Sequence, residues 1–277
     1  VLFRSQNNRV NADRDGYKNS YLQGKIEKKV DPELTLGARV ALVGSVLDYD
    51  RNSSWIPDIS TDTHQFKNKN QSLGFYARNQ MNSAWEMRVD VAATSLNYRD
   101  FRNGQQPMAG DGSGLNGAMS GNQRVLKLSS LWLVDAQTTL NVGVDTQYDT
   151  YTATGDNAFD MKRTLQGVFA GLNRQWERLT LQLNARHDRV DTTNTASGAD
   201  SQNSTNTGLL GLGWRLNSHW RLTSAVSSGF RAPTAFDVSQ NANLKPEKHR
   251  SQEVGLVHTT ENSLSKLVYF ESFGRDV

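Results

Sequence analysis

Apolar residues occupy every second position over long parts of this chain. In residues 85–91, Trp, Met, Val and Val alternate with Glu, Arg and Asp, and the same period of two runs through residues 140–145, 179–186 and 210–215. Successive side chains of a β-strand point to opposite faces, so each segment is predicted to be a strand with one apolar and one polar face. The polar faces repeatedly carry Arg, Asp and Glu, as the lumen of a wide barrel does.

The connections between these segments alternate between short and long. Tight turns are predicted at 31–33, 82–83, 134–136, 177, 217–218 and 261–262. Long polar loops are predicted at 50–69, 99–121, 150–161, 189–205 and 231–249. Outer-membrane barrels place short turns at one end and long loops at the other, whereas a soluble sandwich has no reason to sort its loops in this way.

The pattern therefore predicts an all-β fold, namely an antiparallel transmembrane β-barrel. This chain would contribute about twelve strands, at 19–30, 34–48, 70–81, 84–98, 122–133, 137–150, 162–175, 178–190, 206–216, 219–230, 250–259 and 263–275. An open sheet of this size would expose two unpaired edges to lipid, where backbone groups find no partner. We therefore expect further strands to be needed to close the barrel.

Aromatic residues lie near both ends of the predicted strands. Such residues commonly form two girdles at the membrane interfaces, facing outward from the barrel. The candidates are Trp85, Trp176 and Trp220 beside short turns, and Tyr49, Tyr98, Tyr148 and Phe230 at the other strand ends.

Composition excludes several other classes of protein. The chain has no cysteine, which removes disulfides and thiolate metal sites. It carries 31 basic and 28 acidic residues without a basic cluster, so no nucleic-acid partner is predicted. The mean hydropathy of −0.64 does not exclude a membrane, because only alternate residues of a barrel strand face lipid.

The two ends of the sequence suggest an incomplete chain. It opens on Val1 without an initiator Met or a signal peptide, and residues 1–10 cannot be assigned to a strand. Residues 11–277 are expected to form the partial barrel. Val1 to Ser5 resemble foreign sequence.

One pair of motifs is specific enough to indicate a family. Residues 228–234 read Ser-Gly-Phe-Arg-Ala-Pro-Thr, and residues 241–248 read Asn-Ala-Asn-Leu-Lys-Pro-Glu-Lys. They resemble the paired signature of TonB-dependent outer-membrane receptors, which spans a strand end, an extracellular loop and the start of the next strand. Ala242 departs from the Pro usual in that family. The resemblance extends from about residue 11 to the end.

The resemblance implies a nutrient importer of the bacterial outer membrane. Such receptors have a barrel of about 22 strands closed by an N-terminal plug, through which TonB drives uptake. Neither a plug nor a TonB-contacting segment is recognisable in these residues. The implied partners are a large nutrient ligand, TonB acting through the plug, and outer-membrane lipid.

Within this family the chain most resembles the receptors for cobalamin, vitamin B12. Their calcium-binding rim has an Asp-x-Asp-Gly-aromatic segment before one strand and a Tyr-Asp pair after the next. Matching residues occur here at 13–17 and 49–50. The hairpin brings these carboxylates to one end, where Asp62 can join them, and oxygen ligands suit Ca²⁺. The predicted calcium ligands are Asp13, Asp15, Tyr49, Asp50 and Asp62, with Asn11 as a further candidate.

Histidine placement argues against two other functions. Haem importers of the family are expected to carry His between the signature halves, but residues 234–240 contain none. His187 and Asp188 suggest acid–base chemistry, yet alternation places His187 on the lipid side with Leu181 and Leu183, without a paired Ser nucleophile. We predict no enzyme activity. Cobalamin import is favoured, and a ferric-siderophore receptor or a plain porin-like barrel are the alternatives.

Overall fold

The computed structural model describes residues 16–49, 64–110, 116–155, 158–234, 237–238, 241 and 243–275. Almost all of these residues lie in β-strands. The strands are β1 Gly16–Lys29, β2 Leu34–Tyr49, β3 His64–Asn82, β4 Trp85–Arg102, β5 Asn116–Asp135, β6 Thr138–Gly155, β7 Phe159–Gln175, β8 Leu179–Asn194, β9 Ala199–Arg215, β10 Trp220–Arg231, β11 Glu247–Thr259 and β12 Leu264–Arg275. Within the described ranges, no helix has the length and hydropathy needed to cross a membrane.

The twelve strands form one antiparallel sheet in chain order, from β1 to β12. Each strand therefore pairs with the strands before and after it, and β1 and β12 each pair on one side only. The predicted fold class, the number of strands and their order are confirmed.

The strand register divides the side chains into two faces. Val144 on β6 lies opposite Leu128 on β5 and Val168 on β7, and the intervening positions hold charged residues such as Asp145. We call the side with Val144 the apolar face and the other side the charged face. The apolar residues of the alternating segments 140–145 and 179–186 face the lipid in the predicted barrel, and the structure places six of them on the apolar face, namely Leu140, Val142, Val144, Leu179, Leu181 and Leu183.

Side chains on the apolar face are largely uncovered. Val144 is 50% exposed, and Leu73, Phe75 and Val168 are similarly exposed. Such a large apolar surface is unfavourable in water but suits contact with lipid.

Short polar side chains close the tight turns. The Asp31 carboxylate accepts hydrogen bonds from the Glu33 and Leu34 N–H groups at 2.9 and 2.7 Å. Asn217 accepts from His219 and Trp220, each at 2.9 Å. These Asx turns satisfy backbone donors where the ladder ends, so the strands can reverse within a few residues.

The predicted loop at 189–205 is wrong. Strand β8 continues to Asn194 and β9 begins at Ala199, so only a tight turn connects them. The Asn194 side chain accepts hydrogen bonds from the Ala196 and Ser197 N–H groups, and Gly198 adopts a φ of 71°. The predicted loop at 150–161 is likewise mostly strand. Residues 191–194 are polar on both faces. In residues 150–161 the apolar side chains instead lie on the charged face, as Phe159 and Met161 do. The alternation that marks the other strands is therefore lost from the sequence at both places, although backbone pairing continues.

The predicted aromatic girdles are correct in part. Trp85 lies on the apolar face, stacked on Trp132 with ring centroids 6.2 Å apart, and Tyr148 lies on the same face near the other end of β6. Tyr49 and Tyr98 were wrongly assigned, because the register places both on the charged face.

A charge placed in the middle of the apolar face should destabilise the barrel. We expect Val144→Arg to cost about 2–4 kcal/mol in free energy of unfolding from a bilayer, because the guanidinium loses its hydration there. The control is Asn141→Arg on the same strand, whose side chain lies on the charged face and should cost under about 0.5 kcal/mol. Denaturant titration of the full-length protein in liposomes measures both. Equal costs would contradict the assignment of faces.

Candidate functional site

The charged face carries a hydrogen-bonded cluster around Tyr76 on β3. The Tyr76 hydroxyl donates to the Glu27 carboxylate, which also accepts from Lys25 Nζ at 3.0 Å. The Arg88 guanidinium lies over the Tyr76 ring at 4.4 Å and donates two 2.7 Å hydrogen bonds to Asp90. A Cβ on the adjacent Gly37 would overlap the Tyr76 ring, so the ring requires glycine at that position. Strands β1 to β4 are thus joined by side chains as well as backbone.

A second cluster surrounds Arg186 on β8. Its guanidinium donates to both Asp145 oxygens at 2.7 and 2.8 Å and to Asp188 at 2.6–2.9 Å. Gly167 on the intervening strand leaves room for this arrangement, because a Cβ there would overlap the guanidinium. Asp188 is only 2% exposed, and the Arg186 guanidinium compensates its buried negative charge.

Asp149 forms a third cluster nearer the end of the barrel that carries the long loops. The carboxylate is fully buried and accepts hydrogen bonds from Arg163 Nε and Nη2 at 2.9 and 2.7 Å. The Gln147 amide donates to it as well, and Arg163 also donates to the Tyr151 hydroxyl at 3.1 Å.

The clusters around Tyr76 and Arg186 follow a local rule that is visible in the sequence. Residues i and i+2 of a strand lie on the same face, so a cation two positions from a carboxylate can pair with it. This spacing occurs at Lys25 and Glu27, Arg88 and Asp90, Arg186 and Asp188, and Arg189 and Asp191. The first three pairs lie on the charged face, where they neutralise charge within single strands, and the last pair lies on the apolar face.

Asp100 is buried between two tyrosines on the charged face. It is 3% exposed and accepts hydrogen bonds from the Tyr49 hydroxyl at 2.9 Å and from the Tyr98 hydroxyl at 2.7 Å. The ring of His64 lies 5.5 Å from that of Tyr49. This arrangement occupies the outer ends of β2, β3 and β4. The outer end is the one that carries the long predicted loops.

Of the predicted calcium ligands, only Tyr49 falls within the described residues. Asp13, Asp15, Asp50 and Asp62 lie outside them, as does Asn11. The Tyr49 hydroxyl donates to Asp100, so a calcium role for Tyr49 would use its backbone carbonyl oxygen. Elsewhere in the part of the chain that the structure describes, no group of three or more His, Asp or Glu side chains is placed to hold a metal ion.

The two signature motifs meet at the base of the connection between β10 and β11. Arg231, which ends β10, pairs with Glu247, which begins β11, and its Nε lies 2.9 Å from Oε2. Within the connection, the Asp237 carboxylate accepts the Thr234 N–H at 2.8 Å. This hydrogen bond holds the pKa of Asp237 below its usual range. The motif residues thus close the base of the loop and fix part of its backbone.

Val238 packs the connection between β10 and β11 against β6 and β7. Its side chain is 3% exposed and packs in an apolar cluster with Ala153, Phe159 and Met161 of β6 and β7. Met161 is completely buried. These partners lie on the charged face, so the connection folds back over that face at its outer end.

The structure separates His187 from Asp188, which excludes the acid–base pair that their adjacency suggests. His187 lies on the apolar face, where its Nδ1 is 2.7 Å from the Asn206 amide oxygen. Asp188 lies on the charged face and binds Arg186. The predicted outward orientation of His187 is confirmed.

Taken together, these contacts make the charged face a polar wall with internally paired charges. Such a wall can border water or a polar protein domain without unpaired buried charge. Its outer end is lined by tyrosines and by the connection that holds Val238.

Removing Arg163 should destabilise the wall more than removing an exposed partner. We expect Arg163→Met to cost about 3–5 kcal/mol, because it leaves the buried Asp149 carboxylate without its cation. Adding Asp149→Asn should recover part of that loss. Arg189→Met, which breaks an exposed pair with Asp191, should cost under about 1 kcal/mol. Denaturant unfolding of the full-length protein in liposomes tests this, and equal costs for the two arginines would refute it.

Comparison with solved structures finds similar folds in other transporters. The copper transporter OprC superimposes with a TM-score of 0.73 at 14% identity, covering 95% of this chain and 46% of that one. The FrpB iron transporter from Neisseria meningitidis gives 0.71 at 15% identity, covering 99% and 47%. At these identities the likeness concerns the fold alone.

Sequence comparison gives a relative and a family. The vitamin B12 transporter BtuB of Vibrio vulnificus (strain YJ016) is 24% identical over 255 residues, covering 88% of this chain and 37% of that protein. The chain thus spans less than half the length of the relatives it matches. Residues 3–276 match the family model described as TonB dependent receptor-like, beta-barrel. This chain therefore belongs to the TonB-dependent receptors, a family of transport receptors, and forms part of their β-barrel in the bacterial outer membrane.

Proposed function

We propose that the receptor containing this barrel imports cobalamin, with TonB supplying the driving force through a plug. The observation that carries this proposal is the alignment with a vitamin B12 transporter over 88% of the chain. The resemblance at residues 13–17 and 49–50 and the absence of histidine from residues 234–240 support it. Catalysis is not required, because uptake consists of binding and release.

The charged face supports this mechanism through its paired charges. Asp149 and Asp188 are buried and bonded to arginines of the same wall, so they do not demand a charged ligand. A wall of this kind tolerates a plug that moves past it, because its strongest ionic contacts are internal. A corrinoid is large and nearly neutral, so we expect recognition to depend on loop contacts and shape.

We also propose that calcium orders the outer loops through Asp13, Asp15, Asp50, Asp62 and the Tyr49 carbonyl oxygen. The described strand ends support this proposal. Gly16, which follows Asp15, pairs with Asp48, and Tyr49, which precedes Asp50, pairs with His64. The described chain therefore comes close to one point at three places, and the five proposed ligands are near these places in the sequence. Hard oxygen ligands of this kind suit Ca²⁺.

Binding measurements should separate cobalamin from the iron ligands. We expect the full-length receptor to bind cyanocobalamin at least about 100-fold more tightly than haemin or a ferric catecholate, a difference of about 2.7 kcal/mol. Isothermal titration with the three ligands side by side provides the test. Tight binding of an iron compound without cobalamin binding would replace the proposed ligand by a siderophore or haem. If none of the three binds, the receptor takes a nutrient of another class.

Calcium should bind the wild-type receptor but not a variant without its carboxylates. We expect Asp13→Ala with Asp50→Ala to abolish the calorimetric signal of calcium binding, because two anionic ligands are removed. The matched control is Asp156→Ala with Asp160→Ala, which removes the same charge from a part of the chain where no calcium ligand is proposed. Equal calcium uptake by the wild type and the Asp13 and Asp50 variant would remove the hypothesis.

A further inference from the structure

Basic side chains form a patch on the apolar face, beyond the outer end of its apolar rows. Lys67 on β3 lies directly opposite Arg99 on β4, and Lys69 lies one position further along the same face of β3. Lys18 on β1 and Arg124 on β5 extend the patch to either side. All five side chains are exposed. We call Lys18, Lys67, Lys69, Arg99 and Arg124 the basic rim.

The basic rim differs from the charged face in having no anionic partners of its own. Within the described ranges, none of its five members forms a salt bridge. Lys67 contacts the ring of Phe101, with Nζ 4.5 Å from the centroid. Asp48, which lies on the same face of β2, accepts a 2.7 Å hydrogen bond from Gln65. The net positive charge of the rim is therefore available to an external anion.

The height of the basic rim matches the headgroup layer of a membrane. On β3 the lipid-exposed apolar residues end at Leu73, four positions before Lys69. A tilted strand rises about 2.5 Å per residue along the membrane normal, so Lys69 lies about 10 Å beyond Leu73. The headgroup region extends roughly 5–8 Å beyond the hydrocarbon, and flexible lysine side chains can reach back into it.

The position on the outward face decides which class of anion can reach the rim. The apolar face is the lipid-exposed side of the barrel, so a soluble ligand inside the lumen cannot contact these side chains. Phosphates of outer-leaflet lipids lie at this height and carry the complementary charge.

We propose that the basic rim binds the phosphates of the lipid A portion of lipopolysaccharide in the outer leaflet. Lys67 and Arg99 supply adjacent cations from neighbouring strands, and Lys69 supplies a third from the next position. Arginine can donate two parallel hydrogen bonds to one phosphate, and lysine adds a point charge. This contact anchors one side of the barrel in the membrane and does not depend on which nutrient is imported.

Native mass spectrometry of the full-length receptor with added lipid A provides the test. The variant Lys67→Gln with Lys69→Gln removes two rim charges, and Lys28→Gln with Lys29→Gln removes two charges from the opposite end of β1. We expect the rim variant to retain diphosphorylated lipid A at least about tenfold less well, since each lysine near an anionic lipid surface contributes about fivefold. The control variant should stay within about twofold of wild type.

Further variants and lipids separate charge from other causes. Lys67→Arg with Lys69→Arg keeps the charge and should bind lipid A as the wild type does, and Arg99→Gln alone should weaken binding about fivefold. Binding of phosphatidylethanolamine, which is net neutral, should not distinguish rim variants from wild type. Retention of heat-resistant migration on gels shows that each variant is folded. Equal lipid A binding by the rim variant and wild type, or equal losses in the rim and control variants, would overturn the proposal.

Discussion

The whole structure depends on satisfying backbone hydrogen bonds where water is absent. In a bilayer an unpaired N–H or C=O group costs several kcal/mol, so each strand must pair along its full length. The unbroken series of eleven antiparallel pairings between the twelve strands meets this requirement. It also dictates that alternate side chains face lipid, which leaves the other half of the residues free to carry charge.

Because one face borders lipid and the other borders the lumen, charged side chains are paired differently on the two faces. On the charged face, arginines pair with carboxylates of the same strand or of nearby strands. Arg186 pairs with Asp188 on its own strand and, across the intervening β7, with Asp145 on β6. On the lipid-exposed face, the five cations of the basic rim form no salt bridge with any residue that the structure describes. Because its charges are already paired, the charged face can border a moving domain. The unpaired cations of the basic rim can bind anionic groups of the surrounding membrane.

The sequence permitted prediction of the strands far better than of their ends or of the site. Periodicity identified twelve strands because one face must be apolar in lipid. It failed at 189–205, where Asp191 to Asn194 are polar on both faces yet remain paired. Val91 and Arg99 are separated by an even number of positions and so share a face, which means that the strand period alone places Tyr98 on the opposite, charged face. The contact of Val238 with Met161 was not available, because it joins segments far apart in the chain.

The contact of Val238 with β6 and β7 has a mechanical consequence. One end of the connection is tied to β10 and β11 through Arg231 and Glu247, and its middle is held by a wall three strands away. The connection therefore links the outer ends of β10 and β11 to those of β6 and β7. Any widening of the mouth between β7 and β10 must first withdraw one valine side chain from its apolar cluster, so the shape of the opening and the position of the loop change together.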